Sequence, residues 1–158
     1  MSRTYKNIFF DLDDTLCSFS VHTGEGVSLA SKRLMPHACE VLAYLKSRYR
    51  LYILSNGLRV VQVKKLRLAG LEAYLRKVIV SEDIGVPKPY APIFHFALSA
   101  TQSYLEESLM VGDSWEKDVV GAADIGMHQV FYDTAGLRQL PFRPTYHIRD
   151  LKELMDVL

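Results

Sequence analysis

The sequence predicts an α/β fold in which a parallel sheet is covered by helices. Short apolar runs alternate with amphipathic stretches along almost the whole chain, and glycine and proline fall where helices should stop and start. Polar residues gather directly after four of the apolar runs, which is where an open α/β sheet places its ligand crevice.

Residues 8–10 (Ile-Phe-Phe) read as a first buried strand that ends at Asp11. Over 35–49, Ala38, Val41, Leu42, Leu45 and Tyr49 recur at three- and four-residue steps, which predicts a helix with Pro36 in its first turn. Residues 51–54 form a second strand, followed by Ser55-Asn56-Gly57 and a basic amphipathic helix over 58–69 that Gly70 closes. A third strand covers 78–80, and after a Gly-Val-Pro-Lys-Pro loop a helix spans 91–100 with Pro92 near its start. The fourth strand, 109–111, runs into Gly112-Asp113. A helical stretch over 115–125 stops at Gly126, and 129–132 is a fifth strand. Pro141 and Pro144 mark a loop, after which Asp150 caps a short helix carrying Leu151, Leu154 and Leu158. With no internal repeat or low-complexity linker, residues 1–158 read as one domain.

Composition narrows the partners. Nineteen Lys and Arg against eighteen Asp and Glu give a net charge of +1, so there is no global electrostatic footprint for nucleic acid or an anionic membrane. Cys17 and Cys39 have neither metal-site spacing nor scaffold density, and the five histidines include no i, i+4 pair, which argues against zinc. Without an apolar signal core or a long apolar run, the expected location is the cytoplasm.

The polar residues at the strand ends are Asp11 and Asp13 after strand one, Ser55 and Asn56 after strand two, Lys88 after strand three and Asp113 after strand four. Read singly, each has a bland explanation: Asp13-Asp14 as a turn, Ser55-Asn56-Gly57 as a helix cap, Lys88 as a solvated loop residue. Four such coincidences at successive strand ends point instead to one site. Asp14 stays structural, Cys17 lacks a basic neighbour and reads as an inert thiol, the basic Lys64-Lys65 and Arg67 read as a solvated face, and Trp115 reads as packing over its helix or as a substrate-stacking ring.

Phe-Phe-Asp-Leu-Asp-Asp-Thr-Leu at 9–16, Ile-Leu-Ser-Asn-Gly at 53–57, Lys88 in Gly-Val-Pro-Lys-Pro, and Val-Gly-Asp-Ser-Trp-Glu-Lys-Asp at 111–118 resemble the four motifs of the haloacid dehalogenase superfamily of aspartyl-phosphate hydrolases. Order and strand context agree across residues 6–132. The resemblance implies a three-layer Rossmann-like core with a five-stranded parallel sheet of order 5-4-1-2-3, Mg2+ as cofactor, and phosphomonoester hydrolysis on a small phosphorylated substrate. Asp11 would be the nucleophile, forming an acyl phosphate that water later cleaves. Asp13 would protonate the leaving group and then deprotonate water, holding a proton while Asp11 stays ionised. The metal ligands it implies are the Asp11 carboxylate, the Asp13 backbone carbonyl and the Asp113 carboxylate, with Asp118 orienting a bound water or Lys88. Phosphoryl oxygens would be held by Ser55, the backbone N–H groups of Leu12 and Asn56, and Lys88. A dehalogenase is disfavoured, because Asp13 supplies an acid that carbon-halogen displacement does not need.

Only 38 residues separate Leu16 from Ser55, which leaves no room for the helical cap that many relatives insert there. Residues 19–29 alternate apolar and polar on either side of Gly-Glu-Gly and read as a β-hairpin, a flap within 17–33 in place of the cap. Apolar Phe19, Val21, Val27 and Leu29 suggest self-association through that hairpin. Residues 52–58, 62–66 and 81–89 are most similar to the pyrimidine 5′-nucleotidase-like branch, whose members carry a cap. The chain is therefore either a naturally reduced phosphatase, acting on sugar phosphates or macromolecular phosphoesters, or a cap-deleted nucleotidase. Two further classes stay open: a phosphoryl-accepting receiver domain with its acceptor in Ser81-Glu82-Asp83, and a catalytically silent binding module.

Overall fold

Strand β1 (Asn7–Phe10) is buried on both faces, as a central parallel strand must be, and its side chains divide between two cores. Ile8 and Phe10 enter one; Phe9, pointing the other way, stacks on Tyr52 in the second. The protein is described here from a computed structural model covering residues 4–24, 26–137 and 139–158, with backbone alone within 21–31.

The sheet continues with β4 (Arg50–Ser55), β5 (Lys77–Val80), β6 (Ser108–Gly112), β7 (His128–Tyr132) and β8 (Tyr146–Ile148), in the order β5-β4-β1-β6-β7-β8, every pairing parallel. On one face, α1 (Ala38–Lys46), the inner side of α2 (Arg59–Ala69) and α5 (Leu154–Val157) bury Val41, Leu42, Leu45, Leu66, Ala69 and Leu154. On the other, α3 (Ala91–Thr101) and α4 (Gly121–Asp124) bury Ile93, Phe94, Ala97, Leu98 and Ala122. The expected three layers are present. No described helix is long and apolar enough to cross a membrane.

The sheet has six strands, not five, so its order differs from the expected 5-4-1-2-3. Numbered along the chain within this sheet, it reads 3-2-1-4-5-6, which is the expected succession from the opposite edge with one strand added. The added strand, β8, was not legible because Tyr-His-Ile after Pro144 contains no apolar run. Of its three residues only Ile148 is buried, and its extended conformation comes from pairing with Val130–Tyr132. Helix α1 also starts later than expected. His37 adopts a left-handed conformation (φ 65°), so Pro36 lies in the turn before the helix rather than in its first turn.

Between β1 and β4 the described elements are α1 and one antiparallel hairpin, β2 (Cys17–Gly24) with β3 (Gly26–Leu34). The ladder is longer than the 19–29 read from sequence, and Glu25 at its turn lies outside the described residues. The side chains of Val21, Val27 and Leu29 are likewise outside them. Phe19 is half-buried and packs against the larger core. Strand β3 runs beside α2, where Lys32 Nζ donates to the Leu68 carbonyl at 3.0 Å.

Candidate active site

The parallel register brings the C-terminal ends of β1, β4 and β6 level. Phe10 is paired with Ile53 on one side and Val111 on the other, and the Asp11 N–H extends the ladder to the Val111 carbonyl at 2.9 Å. A cavity of about 210 Å³ opens at this edge, lined by Asp11, Asp13, Asp14, Ser55, Asn56, Lys88, Asp113, Ser114, Lys117 and Asp118. Larger surface hollows occur elsewhere, but none gathers a comparable set of ionisable groups. Every side chain assigned a role from sequence therefore borders this cavity. Leu12 instead buries its side chain beneath, in the turn where its carbonyl accepts from the Thr15, Leu16 and Cys17 N–H groups.

Lys88, 2% exposed, donates to Asp11 Oδ1 at 3.0 Å and to Asp118 Oδ1 at 2.6 Å. Its loop is placed by Asn56: the side-chain amide donates to the Lys88 carbonyl (3.0 Å), and its oxygen accepts from the Lys88 N–H (2.8 Å). The Asn56 side chain is thus occupied with loop geometry, leaving its backbone N–H for a ligand. Asp118 reaches Lys88 because Trp115–Val120 winds as a π-helix, a wider turn frequent at functional sites. The Ser114 N–H donates to Asp118 Oδ2 at 3.1 Å, and a Cβ at Gly112 would run into the Asp118 carboxylate, so glycine is required at the end of β6. Trp115 packs against Phe131 and Phe142, with ring centroids 5.2 and 4.8 Å away, in keeping with a packing role.

Carboxylate oxygens of Asp11, Asp113 and Asp118 lie within 4.8 Å of one another. With Lys88 the only ammonium donating to any of them among the described residues, the group carries two unbalanced negative charges when ionised. The field shows in the ionisation: burial, then the Asp11 charge, push the Asp113 carboxyl up to about 7. Burial pushes Asp118 up to about 6 against the pull of Lys88. For Lys88, burial opposes the charged form, but the two carboxylates outweigh it and hold the ammonium above its ordinary range. Closely spaced hard oxygen donors with excess negative charge suit a divalent cation; Asp118 has both oxygens engaged, by Lys88 and the Ser114 N–H, which leaves Asp11 and Asp113 as the better placed ligands.

This has a pH consequence. In chelator, the folded protein keeps protons on Asp113 and Asp118 that the unfolded chain, near 3.8, has released. These groups should therefore make stability fall as pH rises from about 4 toward 7. Magnesium should raise the melting temperature more at about pH 8 than at about pH 5. An equal shift at both would count against this cluster as the cation site.

Besides Ser114 and Lys117 on the cavity wall, three residues without a sequence-assigned catalytic role support the site from behind it. Thr15 Oγ1 lies 3.3 Å from Asp11 Oδ2 and 3.0 Å from Asp113 Oδ1, and accepts from the Asp113 N–H at 3.0 Å, tying the ends of β1 and β6 together. Lys65, read as solvated, is 8% exposed and donates to Asp13 Oδ1 at 2.8 Å. Gln62 donates from Nε2 to Asp13 Oδ2 (2.9 Å) and Ser55 Oγ (2.6 Å). The available signal was helical phase: Gln62 and Lys65 share the buried stripe of α2 with Leu66 and Ala69. Cys17 is buried, and burial first, then Asp13, push its thiol up to about 12, so it is inert at neutral pH.

Comparison with known proteins agrees with this architecture. A family model described as haloacid dehalogenase-like hydrolase matches residues 24–126. The glyceraldehyde 3-phosphate phosphatase of Methanothermobacter thermautotrophicus is 32% identical over 130 residues, 82% of this chain and 58% of the relative. The pyrimidine 5′-nucleotidase YjjG of Escherichia coli is 32% identical over 127 residues, 78% of this chain and 56% of the relative. The chain thus spans a little over half the length of these two relatives. The crystal structure of the putative HAD-hydrolase YfnB from Bacillus subtilis, bound to magnesium, superposes with a TM-score of 0.84 at 22% identity, over 98% of this chain and 99% of that one, and so shares the fold. With a family model covering well over half of its residues, the chain belongs to the haloacid dehalogenase-like hydrolases.

Proposed function

We propose that the chain is a magnesium-dependent phosphomonoester hydrolase acting through an aspartyl-phosphate on Asp11. The observation that carries this reading is the position of Asp11: it lines the cavity, it is held by the buried Lys88 ammonium at 3.0 Å, and Asp113 stands beside it. When bound, magnesium would offset the charge of the phosphate and of Asp11 and Asp113. Lys88 aims Asp11 through its 3.0 Å hydrogen bond and offers charge to the transferring phosphoryl group. Ser55 and the backbone N–H groups of Leu12 and Asn56 bind its oxygens. Asp13, at the rim, delivers a proton to the departing alcohol and removes one from water in the second step.

The relatives' names include a triose-phosphate phosphatase and a nucleotidase, which share the phosphomonoester and differ in what carries it. That supports a common phosphoryl core in which selection lies outside the strand ends, here in the β2–β3 hairpin. The receiver alternative draws no support from the geometry: Asp83 is paired with Arg59 at 2.6 Å and does not line the cavity.

The test is a hydrolysis screen over nucleoside monophosphates, sugar phosphates and phosphopeptides, with magnesium and with chelator, followed by trapping and mapping of the acyl phosphate. Magnesium-dependent turnover and label on Asp11 are expected. Label on Asp83, or no turnover across the panel, would overturn the reading.

A further inference from the structure

We infer that Lys65, together with Gln62, is a positioning residue for Asp13: a clamp on the inner face of α2 that holds the acid–base carboxyl toward the cavity. The inference rests on the reading of Asp13 as acid and base.

The two residues are three apart on α2 and so share one face. Each takes a different oxygen of Asp13, Lys65 Nζ at 2.8 Å from Oδ1 and Gln62 Nε2 at 2.9 Å from Oδ2, so rotation of the carboxylate is blocked from both sides. Neither borders the cavity, so both reach the chemistry only through the groups they hold. Burial decides which partner does the holding. The Asp13 side chain is 39% exposed, whereas that of Lys65 is 10% exposed and Gln62 is 2% exposed. A carboxylate so open to water would turn outward unless anchored, and a lysine so deeply placed has given up its hydration for this contact. The anchor is itself fixed. Gln62 also bonds Ser55 Oγ at 2.6 Å, and Gly57, at φ 137°, lets the backbone pass where a Cβ would come 3.3 Å from the Gln62 amide carbon. The clamp therefore ties Asp13, in the loop after β1, to Ser55 at the end of β4 through one helix.

In the first step an Asp11 oxygen bonds to phosphorus, the bond from phosphorus to the alcohol oxygen breaks, and a proton that Asp13 takes up from water on substrate binding moves to that oxygen; Lys65 and Gln62 fix the place of the carboxyl and do not supply this proton. An alkyl alcohol leaves poorly without the proton, whereas p-nitrophenolate leaves as the anion. Misplacing Asp13 should thus cost rate only where protonation is needed. The parameter kcat/KM isolates this step, since it extends only through departure of the alcohol.

With magnesium present, Lys65→Met is expected to lower kcat/KM for β-glycerophosphate by roughly tenfold to a hundredfold and for p-nitrophenyl phosphate by less than about threefold. Lys65→Arg should restore most of the loss, and Lys65→Gln gives the same comparison if the methionine variant does not fold. An equal loss on both substrates, or none on either, would overturn the inference. Asp13→Asn is measured alongside. If it too lacks the leaving-group split, the acid reading of Asp13 falls; if it shows the split and the Lys65 variants do not, only the clamp falls.

Discussion

Asp11→Asn is expected to lower turnover of p-nitrophenyl phosphate by about a thousandfold or more while leaving the fold intact. The amide is nearly isosteric with the carboxylate, so the neighbouring Thr15 and the ladder bond from the Asp11 N–H to Val111 keep their geometry. What disappears is the anionic oxygen that attacks phosphorus. Stability should change little, because two effects oppose each other: Lys88 loses one of its two carboxylate partners, and Asp113 is relieved of the Asp11 charge that helps raise it. Circular dichroism and a melting curve distinguish loss of chemistry from loss of fold. Turnover near the wild-type rate would remove Asp11 as nucleophile.

Lys88→Met is expected to destabilise the protein by about 3–5 kcal/mol, because breaking a buried ion pair from one side leaves charge without compensation. The ammonium is 2% exposed and serves two carboxylates, and Asp118 beside it is 1% exposed. The loop itself should stay in place, since its bonds to Asn56 use the backbone of residue 88. The deficit should depend on pH in a defined direction. Without Lys88, the Asp118 carboxyl rises further above its unfolded value, so the folded variant holds a proton that the unfolded chain has lost. Stability of the variant should therefore decline as pH rises and recover in acid. Urea unfolding at several pH values measures this. A loss below about 1 kcal/mol that is flat with pH would mean that the cluster is hydrated rather than buried.

The site was legible to the extent that its residues stand at strand ends. A parallel sheet makes short apolar runs, and whatever follows each run lies at one edge, so Asp11, Asp13, Ser55, Asn56, Lys88 and Asp113 could be grouped from position alone, whereas Asp118, inside Trp115–Val120, was assigned only through the motif resemblance. Residues acting through a third partner were not legible. Lys65 lies in a basic run that resembles a solvated face, and only the docking of α2 on the sheet turns it inward to Asp13. Thr15 stood inside the first motif, but its tie to Asp113 spans 98 positions and depends on the β1–β6 register. Strand β8 was missed for a similar reason, being extended because β7 offers it an edge.

The amino-acid sequence by itself determined the layered α/β class, the strands β1, β4, β5, β6 and β7 that make the core of the sheet, and the acidic and basic groups at their ends, because period, turn chemistry and burial are local properties of the chain. Only the tertiary structure decided which charges face which. Whether a lysine is solvated or buried, and whether a carboxylate is free to ligate or already paired, depends on the sum of neighbours brought in from distant segments, and that sum sets both the desolvation and the field at each group.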